Sequence, residues 1–330
     1  MSFDNHLPMK RLFIFILFLI IATSCTTKFD LYCYEGDTTI VYSILEVNAD
    51  TNYFRITKSS LENEYTYNYD DIDVRFTGLF KNELQPDTIT LDTISIISDG
   101  QLKTYYFTDK KLIDGQTYTL LIHRKADDVT ISSTTMTIND LRFIKPVYGS
   151  YINFRPTHVN KIEWIGLGSI APEINASYYV VTGYFHYREL MPGATDTVDR
   201  VMVWPIGTEQ ANHLFNTYDS HYIMFYTPST FFTLLGEDEY LQNNSPLGVQ
   251  RWLEPFEFEI IAYGEELYNY HIINNSYSAI QEVPNYTNIV NGIGLMSSRT
   301  AKSSFHVIEQ LCRKRISENY DYGFYYDPNL

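Results

Sequence analysis

The sequence predicts a mainly β protein built from two β-sandwich units. Runs in which apolar and polar residues alternate, as from Ile72 to Thr77, recur along the chain and are typical of strands with one buried face. The 29 Tyr and 20 Phe residues also favour strands, because aromatic side chains pack well on a half-buried sheet. At 330 residues the chain exceeds one ordinary domain of roughly 150 residues, which predicts two units.

The chain opens with an export signal. Two basic residues precede an apolar run from Leu12 to Ile21, and small residues then lead to Cys25. This order is typical of a signal peptide, so residues 1–24 are predicted to be removed, whether Met1 or Met9 is the start. The apolar run is too short to span a bilayer as a helix.

Cys25 resembles the lipid-modified cysteine of bacterial lipoproteins. It follows Ala22-Thr23-Ser24, which is similar to a lipobox although Ala stands where Leu is commoner. The resemblance implies a lipid on the Cys25 thiol, with residues 25–35 as a lipidated tether and the lipid as the chain's only attachment to a membrane. Thr26 rather than Asp after the cysteine implies the outer membrane, on either its periplasmic or its surface side. A secreted protein with an unmodified Cys25 is the alternative.

Two further cysteines are available for a disulfide. An oxidising envelope permits a bridge between Cys33 and Cys312, and two free or buried thiols are the alternative. No CxxC pair or Cys/His cluster indicates zinc or redox chemistry.

Residues 36–144 are predicted to form the first sandwich. Asp99-Gly100 between two strand-like runs predicts a hairpin turn, because both residues tolerate positive φ angles. Tyr118 opens an alternating strand shortly after Asp114-Gly115, and this pattern resembles the tyrosine corner of immunoglobulin-like and fibronectin type III sandwiches. The resemblance implies a seven-stranded sandwich of that class.

Residues 145–275 are predicted to form a second sandwich of the same class, decorated with helices. Trp164 and the run from Ala176 to Tyr187 resemble its B and C strands, where a Trp packs under the next strand. The side chains expected on the inner face of the C strand are Tyr179, Val181, Phe185 and Tyr187. Helical patterns are predicted at 208–217, 230–241, 265–274 and, beyond this unit, 303–317.

Residues 276–330 are predicted to form a C-terminal clasp and tail. Residues 284–299, PNYTNIVNGIGLMSSR, resemble a segment of a family of Bacteroidota outer-membrane lipoproteins of unknown function. The lipobox and the strands also lie where such proteins have them, so the resemblance covers most of the mature chain. It implies a location at the outer membrane and an immunoglobulin/fibronectin-like architecture. Some such families accompany systems for TonB-dependent uptake of glycans or other nutrients.

The Asn-Gly segment allows two interpretations. Asn291, Gly292 and Gly294 can adopt backbone angles closed to bulkier residues, and Arg299 can bind a carboxylate or the carbonyls of the turn. We favour a structural clasp that joins the C-terminal segment to a sandwich, over a ligand-binding loop.

Composition and motifs exclude several classes of function. An excess of 40 acidic over 24 basic residues gives a net charge of −16, which opposes binding to nucleic acid. The chain has no nucleophile elbow, phosphate-binding loop or paired-histidine metal motif, so no catalytic residue, metal or cofactor is predicted. The acidic runs 70–73 and 237–239 could supply a glycosidase with carboxylates, but such runs are more often solvated surface.

Aromatic residues near the irregular parts of the second unit are the candidate ligand-facing groups. Sugars stack on aromatic rings, and binding loops tend to be irregular, but packing within a sandwich is the favoured explanation of such residues. The candidates for a glycan or peptide ligand are Trp204, Tyr218, Tyr222, Tyr226 and Trp252.

The sequence therefore favours a lipid-anchored cell-envelope binding protein over an enzyme. The expected role is an accessory component of an outer-membrane uptake system, with a TonB-dependent transporter or another envelope protein as partner. A structural or adhesion lipoprotein of the cell surface is the alternative, and a glycan hydrolase is less favoured because it requires converging carboxylates that no motif supplies.

Overall fold

The structure is a computed structural model that describes residues 38–59, 64–67, 70–98, 100–167, 176–210, 215–216, 221–245, 248–275 and 286–326. The predicted signal peptide and tether, including Cys25 and Cys33, lie outside these residues. No helix in the described ranges is long and apolar enough to cross a membrane. The chain is mainly β, as predicted, with three sheets and four short helices in the described ranges.

The first sandwich has the strand order of an immunoglobulin-like fold. One layer runs β1-β2-β7-β6 with β3 beside β2, and the other runs β5-β4-β8-β9. Lettered along the chain, these layers are A-B-E-D and C′-C-F-G. The strands are β1 (Thr38–Glu46), β2 (Asn52–Ser59), β3 (Glu64–Thr66), β4 (Ile72–Gly78), β5 (Asp87–Thr90), β6 (Asp92–Ser98), β7 (Gln101–Thr108), β8 (Thr117–Arg124) and β9 (Val129–Met136).

Alternating side chains from the two layers fill the first core. In β4 the buried residues are Ile72, Val74 and Phe76, which confirms the period-two pattern. The Phe76 ring lies 5.0 Å from that of Phe54 on the facing layer and 5.3 Å from that of Tyr118 on the neighbouring strand. The same alternation of buried and more exposed residues occurs in β1, β8 and β9, so each of these strands contributes one dry face.

Tyr118 has the geometry of a tyrosine corner. Its hydroxyl donates a hydrogen bond to the Leu79 carbonyl at 2.5 Å and accepts one from the Ile113 N–H at 2.8 Å. Gly78 leaves room for the ring, since a Cβ there would lie 2.2 Å from a ring carbon. The buried hydroxyl thus satisfies two backbone groups in the turns that flank the sandwich.

The second sandwich repeats the same order. One layer runs β10-β12-β16-β15 and the other β14-β13-β18-β19, which again are A-B-E-D and C′-C-F-G. Two short strands, β11 and β17, pair with β19 and β13. The strands are β10 (Asp140–Lys145), β11 (Tyr151–Ile152), β12 (Asn160–Leu167), β13 (Tyr178–Leu190), β14 (Val198–Gln210), β15 (Phe215–Asn216), β16 (His221–Tyr226), β17 (Gln250–Leu253), β18 (Phe256–Tyr263) and β19 (Ile293–Ile308).

The predicted B and C strands of this unit are β12 and β13. Trp164 on β12 is fully buried, and its ring packs 5.2 Å from that of Tyr179 on β13. The side chains that were expected on the inner face of β13 are all buried, which confirms the alternation: Tyr179, Val181, Phe185 and Tyr187.

The helices agree with the sequence in two of four places. They are α1 (Ser229–Glu237), α2 (Glu239–Asn244), α3 (Glu265–Asn275) and α4 (Gln310–Asn319). The predictions over 230–241 and 265–274 are confirmed as α1 with α2 and as α3. The prediction over 208–217 is wrong, because β14 continues to Gln210 and residues 215–216 pair with β16. The helix predicted from Ser303 starts only at Gln310, since β19 extends to Ile308.

The two sandwiches share β19. Its first half pairs parallel with β1, from Ile293 opposite Ile40 to Arg299 opposite Glu46. Its second half pairs antiparallel with β18, from Arg299 opposite Tyr263 to His306 opposite Phe256. The G strand of the second sandwich thereby extends the A-B-E-D layer of the first, and one continuous sheet of 11 strands results.

This pairing changes the predicted division of the chain. The segment 276–330 contains β19, a central strand of the large sheet as well as a clasp and a tail. The end of the predicted first unit, residues 140–144, belongs to β10, which pairs with β12 in the second sandwich. A local pattern cannot reveal either pairing, because the partner strands lie far away in the sequence.

The Asn-Gly segment fastens the two units together. Val290 exchanges two backbone hydrogen bonds with Ser132 on β9, and the Asn291 side chain donates to the Thr130 carbonyl at 2.8 Å. Gly292 lies so close to β1 that a Cβ would stand 2.8 Å from the Thr39 carbonyl oxygen. The Arg299 guanidinium donates to the Glu46 carboxylate at 3.0 Å. Backbone geometry and close approach thus account for this segment.

Replacement of Gly294 tests the β1–β19 contact. Gly294 has φ 118°, and a Cβ there would stand 2.0 Å from the Val41 carbonyl oxygen, so Gly294→Ala adds both strain and a clash. We expect the free energy of unfolding in urea to fall by about 3 kcal/mol. Gly193→Ala is the matched control, because Gly193 also has positive φ but nothing within 4 Å, and should cost about 1 kcal/mol. Equal losses of stability in the two variants would contradict the close approach of Gly294 to β1.

The burial of His306 predicts that the protein loses stability in acid. Its ring is buried, 5.5 Å from that of Phe258, and burial lowers the pKa of His306 to about 4 despite backbone groups of Val147 and Ser150. Because the unfolded chain binds the proton more tightly, stability is complete above pH 6.5 and falls as the pH drops toward 4. The loss should reach at most about 3 kcal/mol.

The measurement is the free energy of unfolding at several pH values for the wild type and His306→Gln. Between pH 6.5 and 5 the variant should lose less stability than the wild type. In this range the loss of stability is due to protonation of His306 rather than of carboxylates. His158→Gln, at an exposed position, is the control and should keep the wild-type slope. Identical slopes for the wild type and His306→Gln would contradict the assignment.

Candidate functional site

The outer face of the C′-C-F-G layer in the second sandwich carries the candidate site. Strand alternation turns Tyr184 and His186 on β13 away from the core, between buried neighbours. Register aligns Tyr184 with Val203 on β14 and with Glu257 on β18, and Glu257 in turn with Phe305 on β19. Four paired strands therefore hold this face as a rigid platform.

An open groove of about 540 Å³ lies at one end of this platform. Its walls come from β13, β14, β19 and the short link between β17 and β18, so they are separate in sequence. The lining residues are His186, Tyr187, Arg188, Asp199, Arg200, Glu254, Pro255 and Phe305. The groove combines one exposed aromatic ring with several planar polar groups.

Several polar groups of the groove are held by hydrogen bonds, either to one another or to groups beside the groove. His186 Nε2 lies 2.9 Å from a carboxylate oxygen of Glu257, and Arg188 donates to Glu254. Two arginines and two acids line the groove, so the formal charges of these four side chains cancel. The groove therefore offers many hydrogen-bonding groups without a strong field of either sign.

A neighbouring tyrosine extends this polar row. Tyr184 donates its hydroxyl proton to Glu259 at 2.7 Å. Burial, reinforced by that carboxylate, raises the pKa of Tyr184 to about 12. The phenol therefore stays protonated and remains a donor at neutral pH.

A buried ion pair supports the floor of the groove. The side chains of Glu189 and Arg251 are 0% exposed, with Arg251 Nε 2.9 Å from Glu189 Oε2. The other Glu189 oxygen accepts from Tyr240 and, at 3.4 Å, from Arg200 Nε, and Arg251 also donates to the Tyr322 carbonyl. Because Arg200 lines the groove, this network links the groove to the core and to the C-terminal tail.

Three of the predicted ligand-facing aromatics lie in the core, which corrects that expectation. Trp204, Tyr222 and Tyr226 are buried, and Trp204 Nε1 donates to Thr230 Oγ1 at 3.1 Å. Their strands turn these rings inward against α1 and the facing layer, so they cannot stack on a ligand at the surface. Packing within the sandwich, the explanation that the sequence favours for such residues, applies to these three.

The remaining two aromatic candidates have different positions. Trp252 is half-buried on β17 and lies opposite Arg188 in the β13–β17 ladder, beside the groove. Tyr218 lies outside the described residues. Of the predicted aromatics that the structure describes, Trp252 alone stands near the groove.

The other predicted positions are structural or outside the described residues. Asn291, Gly292, Gly294 and Arg299 hold the junction between the sandwiches rather than the groove. Within the described ranges Cys312 is a free, buried thiol whose Sγ accepts from the Phe154 N–H at 3.1 Å. Its predicted bridge to Cys33, like the lipidation of Cys25, involves residues that the structure does not describe.

One residue of each acidic run has a structural contact. Asp238 caps α2 by accepting from the Leu241 N–H at 2.9 Å, and Asp73 pairs with Arg75 at the surface. In the described ranges no three His, Cys, Asp or Glu side chains cluster so as to hold a metal ion.

Sequence reasoning missed the groove because its residues come from several distant strands. One signal was present: Glu257 and Glu259 alternate with buried Phe256 and Phe258, which marks a charged outer face. The neighbouring strands that complete this face are set by the register, which no local pattern contains.

Comparison with known proteins adds little to this geometry. No protein-family model matches the chain, and no curated protein matches it. Among solved structures, a crystal structure of the chicken CNTN1 FN1-FN3 domains matches with 10% sequence identity and a TM-score of 0.20, over 82% of this chain and 67% of that one. The assignment of two immunoglobulin-like sandwiches rests on their strand order.

The two ion pairs at the groove should differ greatly in their contribution to the free energy of unfolding. Glu189→Gln leaves Arg251 as an uncompensated buried charge, and we expect a loss of about 3 kcal/mol or more in the free energy of unfolding. The same change at Glu254, whose partner Arg188 has a side chain 51% exposed, should cost less than about 1 kcal/mol. Urea unfolding of both variants gives the comparison, and similar losses would contradict the structural role of the Glu189–Arg251 pair.

Proposed function

We propose that the chain is a lipid-anchored binding protein of the bacterial cell envelope, and that its ligand occupies the groove beside His186 and Phe305. The observation that carries this proposal is a preformed, open groove on a rigid sheet, lined by polar groups that hydrogen bonds hold in place and by one exposed ring. Preformed concave sites with few polar groups in fixed positions are typical of small-ligand binding.

An uncharged glycan suits the groove best. Its arginines and acids neutralise one another, so a charged ligand gains little, whereas hydroxyl groups can both donate to carboxylates and accept from guanidinium groups. The Phe305 ring, with Trp252 beside the groove, supplies the apolar surface on which the CH face of a sugar packs.

The export signal and Cys25 support an anchor in the outer membrane, and the resemblance to Bacteroidota lipoproteins supports an accessory role in uptake. In this proposal the lipid holds the protein at the membrane, and a TonB-dependent transporter takes the glycan from the groove. In the same proposal residues 25–35 link the lipid to the sandwiches, on either side of the outer membrane.

A structural or adhesion role is the second candidate, and one observation favours it. The outer face of the A-B-E-D layer in the first sandwich exposes Tyr42 and Ile44 on β1 and Tyr53 on β2. Exposed apolar surface of this kind often marks contact between proteins. An adhesion protein would use this face and would not need the groove.

Removal of the Phe305 ring tests the groove. Phe305→Ala should weaken binding of a neutral oligosaccharide by roughly tenfold, because a stacked ring contributes about 1 kcal/mol beyond its buried area. Binding is measured by calorimetry on the full-length protein with a panel of neutral oligosaccharides. Phe225→Ala is the matched control, since Phe225 is an exposed ring on β16 in the opposite layer.

The glycan site is contradicted if no oligosaccharide of the panel binds the wild type, or if Phe225→Ala weakens binding as much as Phe305→Ala does. Affinity capture from solubilised outer membranes then separates the two roles. A TonB-dependent transporter that co-purifies with the wild type but not with the Cys25→Ala variant supports the role in uptake. Surface exposure with no transporter and no bound glycan supports adhesion.

A further inference from the structure

In the described ranges the main strand orders of the three sheets end in six edge strands, and three further strands, β3, β11 and β17, are only two to four residues long. The features of each of the six edges indicate what can pair with it. The six edge strands are β14 and β6 in the large sheet, β10 and β15 in the second, and β5 and β9 in the third. An edge strand presents backbone N–H and C=O groups that can pair with another chain, and proteins usually blunt such edges.

Five of the six edges carry a blunting feature. β5 and β15 are only four and two residues long, and the clasp covers β9 through the Ser132–Val290 hydrogen bonds. β10 contains a bulge between Phe143 and Lys145 and is followed by Pro146, and β14 contains Pro205 beside an irregularity in its register with β13. Short length, bulges and proline all hinder strand addition.

β6 has none of these features. Its seven residues pair with β7 in unbroken register, from Asp92 to Ser98, and contain no Pro, Lys or Arg. Ile94 and Ile96 are 39% and 36% exposed on one face, and Ile97 is 75% exposed on the other. In the described ranges β6 pairs with β7 alone, so its second edge and both apolar faces are open.

We propose that β6 pairs antiparallel with β6 of a second copy of this chain, forming a dimer with two-fold symmetry about Ser95. This register pairs all seven residues of the strand. It places Ile94 opposite Ile96 of the second copy and Ile96 opposite Ile94 of the second copy, on one face. On the other face Ile97 lies opposite Thr93 of the second copy.

The charges favour a second copy as the occupant. The single charged residue of β6, Asp92, stands opposite Ser98 of the second copy rather than opposite another acid. Lys103 lies on the same face as Asp92, because β7 pairs it with Ile96. In this register Lys103 aligns with Ile94 of the second copy, two residues along that strand from its Asp92, so the opposite charges are diagonal neighbours across β6. A two-fold axis repeats each favourable contact, as self-complementary interfaces require.

This contact lies in the first sandwich and does not depend on the groove of the second. The dimer stands or falls separately from the proposed glycan site, since Phe305 is on β19 and β6 is at the far edge of the large sheet.

The test is the mass of the full-length protein in solution. Size-exclusion chromatography with light scattering over a range of concentrations should show a dimer for the wild type. Because of the two-fold axis, Ile96→Lys places a lysine opposite an isoleucine at two positions of the interface. The dissociation constant of the dimer should therefore rise roughly tenfold or more. Val201→Lys, at an exposed valine on the blunted edge β14, is the matched control and should leave the dimer unchanged.

Two further variants test the register. In the double variant I94E/I96K, each new glutamate faces a new lysine of the other copy, and the dimer should return to within a few-fold of the wild-type affinity. Ser95→Cys should give a disulfide-linked dimer, because the two copies of residue 95 face each other at the axis, whereas Leu84→Cys, fully exposed elsewhere, should not.

A dimer that I96K weakens and I94E/I96K restores, with cross-linking at position 95 alone, supports the proposal. A wild type that is monomeric at every concentration overturns it. A dimer that Ile96→Lys leaves intact, while circular dichroism shows the variant folded, also overturns it.

Discussion

The parallel pairing of β1 with β19 is the contact on which the rest of the structure depends. It joins residues as far apart as Glu46 and Arg299, which are 253 positions distant in sequence. Without it the first and second sandwiches would each end in an open edge, at strands A and G. With it those two edges satisfy one another, and both layers become parts of one sheet. The close approach requires a residue without a Cβ at Gly294, so the Asn-Gly segment has a structural explanation.

The same contact determines where function can lie. Residues 286–292, which lead into β19, contact the first sandwich, where Val290 covers β9 and the Asn288 side chain binds both backbone groups of Met296. These surfaces are occupied by the chain itself. The outer face beside His186 and Phe305 and the edge at β6 are among the surfaces that stay accessible, and each lies on hydrogen-bonded strands. A rigid support suits a site that binds without rearrangement.

Local sequence predicted the strands and faces well, because burial alternates with period two. Tyr179 and its alternate neighbours were assigned to the core from that pattern alone, and Tyr118 identified the corner of the first sandwich. The same reasoning failed for Trp204 and Tyr222, because proximity to irregular segments does not show which face of a strand a ring occupies. It also missed the groove and the role of β19, since both depend on pairings between distant strands, and pairing register is a property of the whole fold.

The net charge of −16 constrains how two copies can meet. Like-charged proteins repel one another at long range, but salt limits this repulsion to a Debye length of about 8 Å under physiological conditions. At shorter range, backbone hydrogen bonds and apolar contacts must outweigh what repulsion is left. That balance is most favourable where few acids are present, and β6 has one acid in seven residues, with Lys103 on the neighbouring strand. An acidic surface therefore discourages random association while leaving this edge able to pair, and a lipid anchor that confines copies to one surface would raise their effective concentration further.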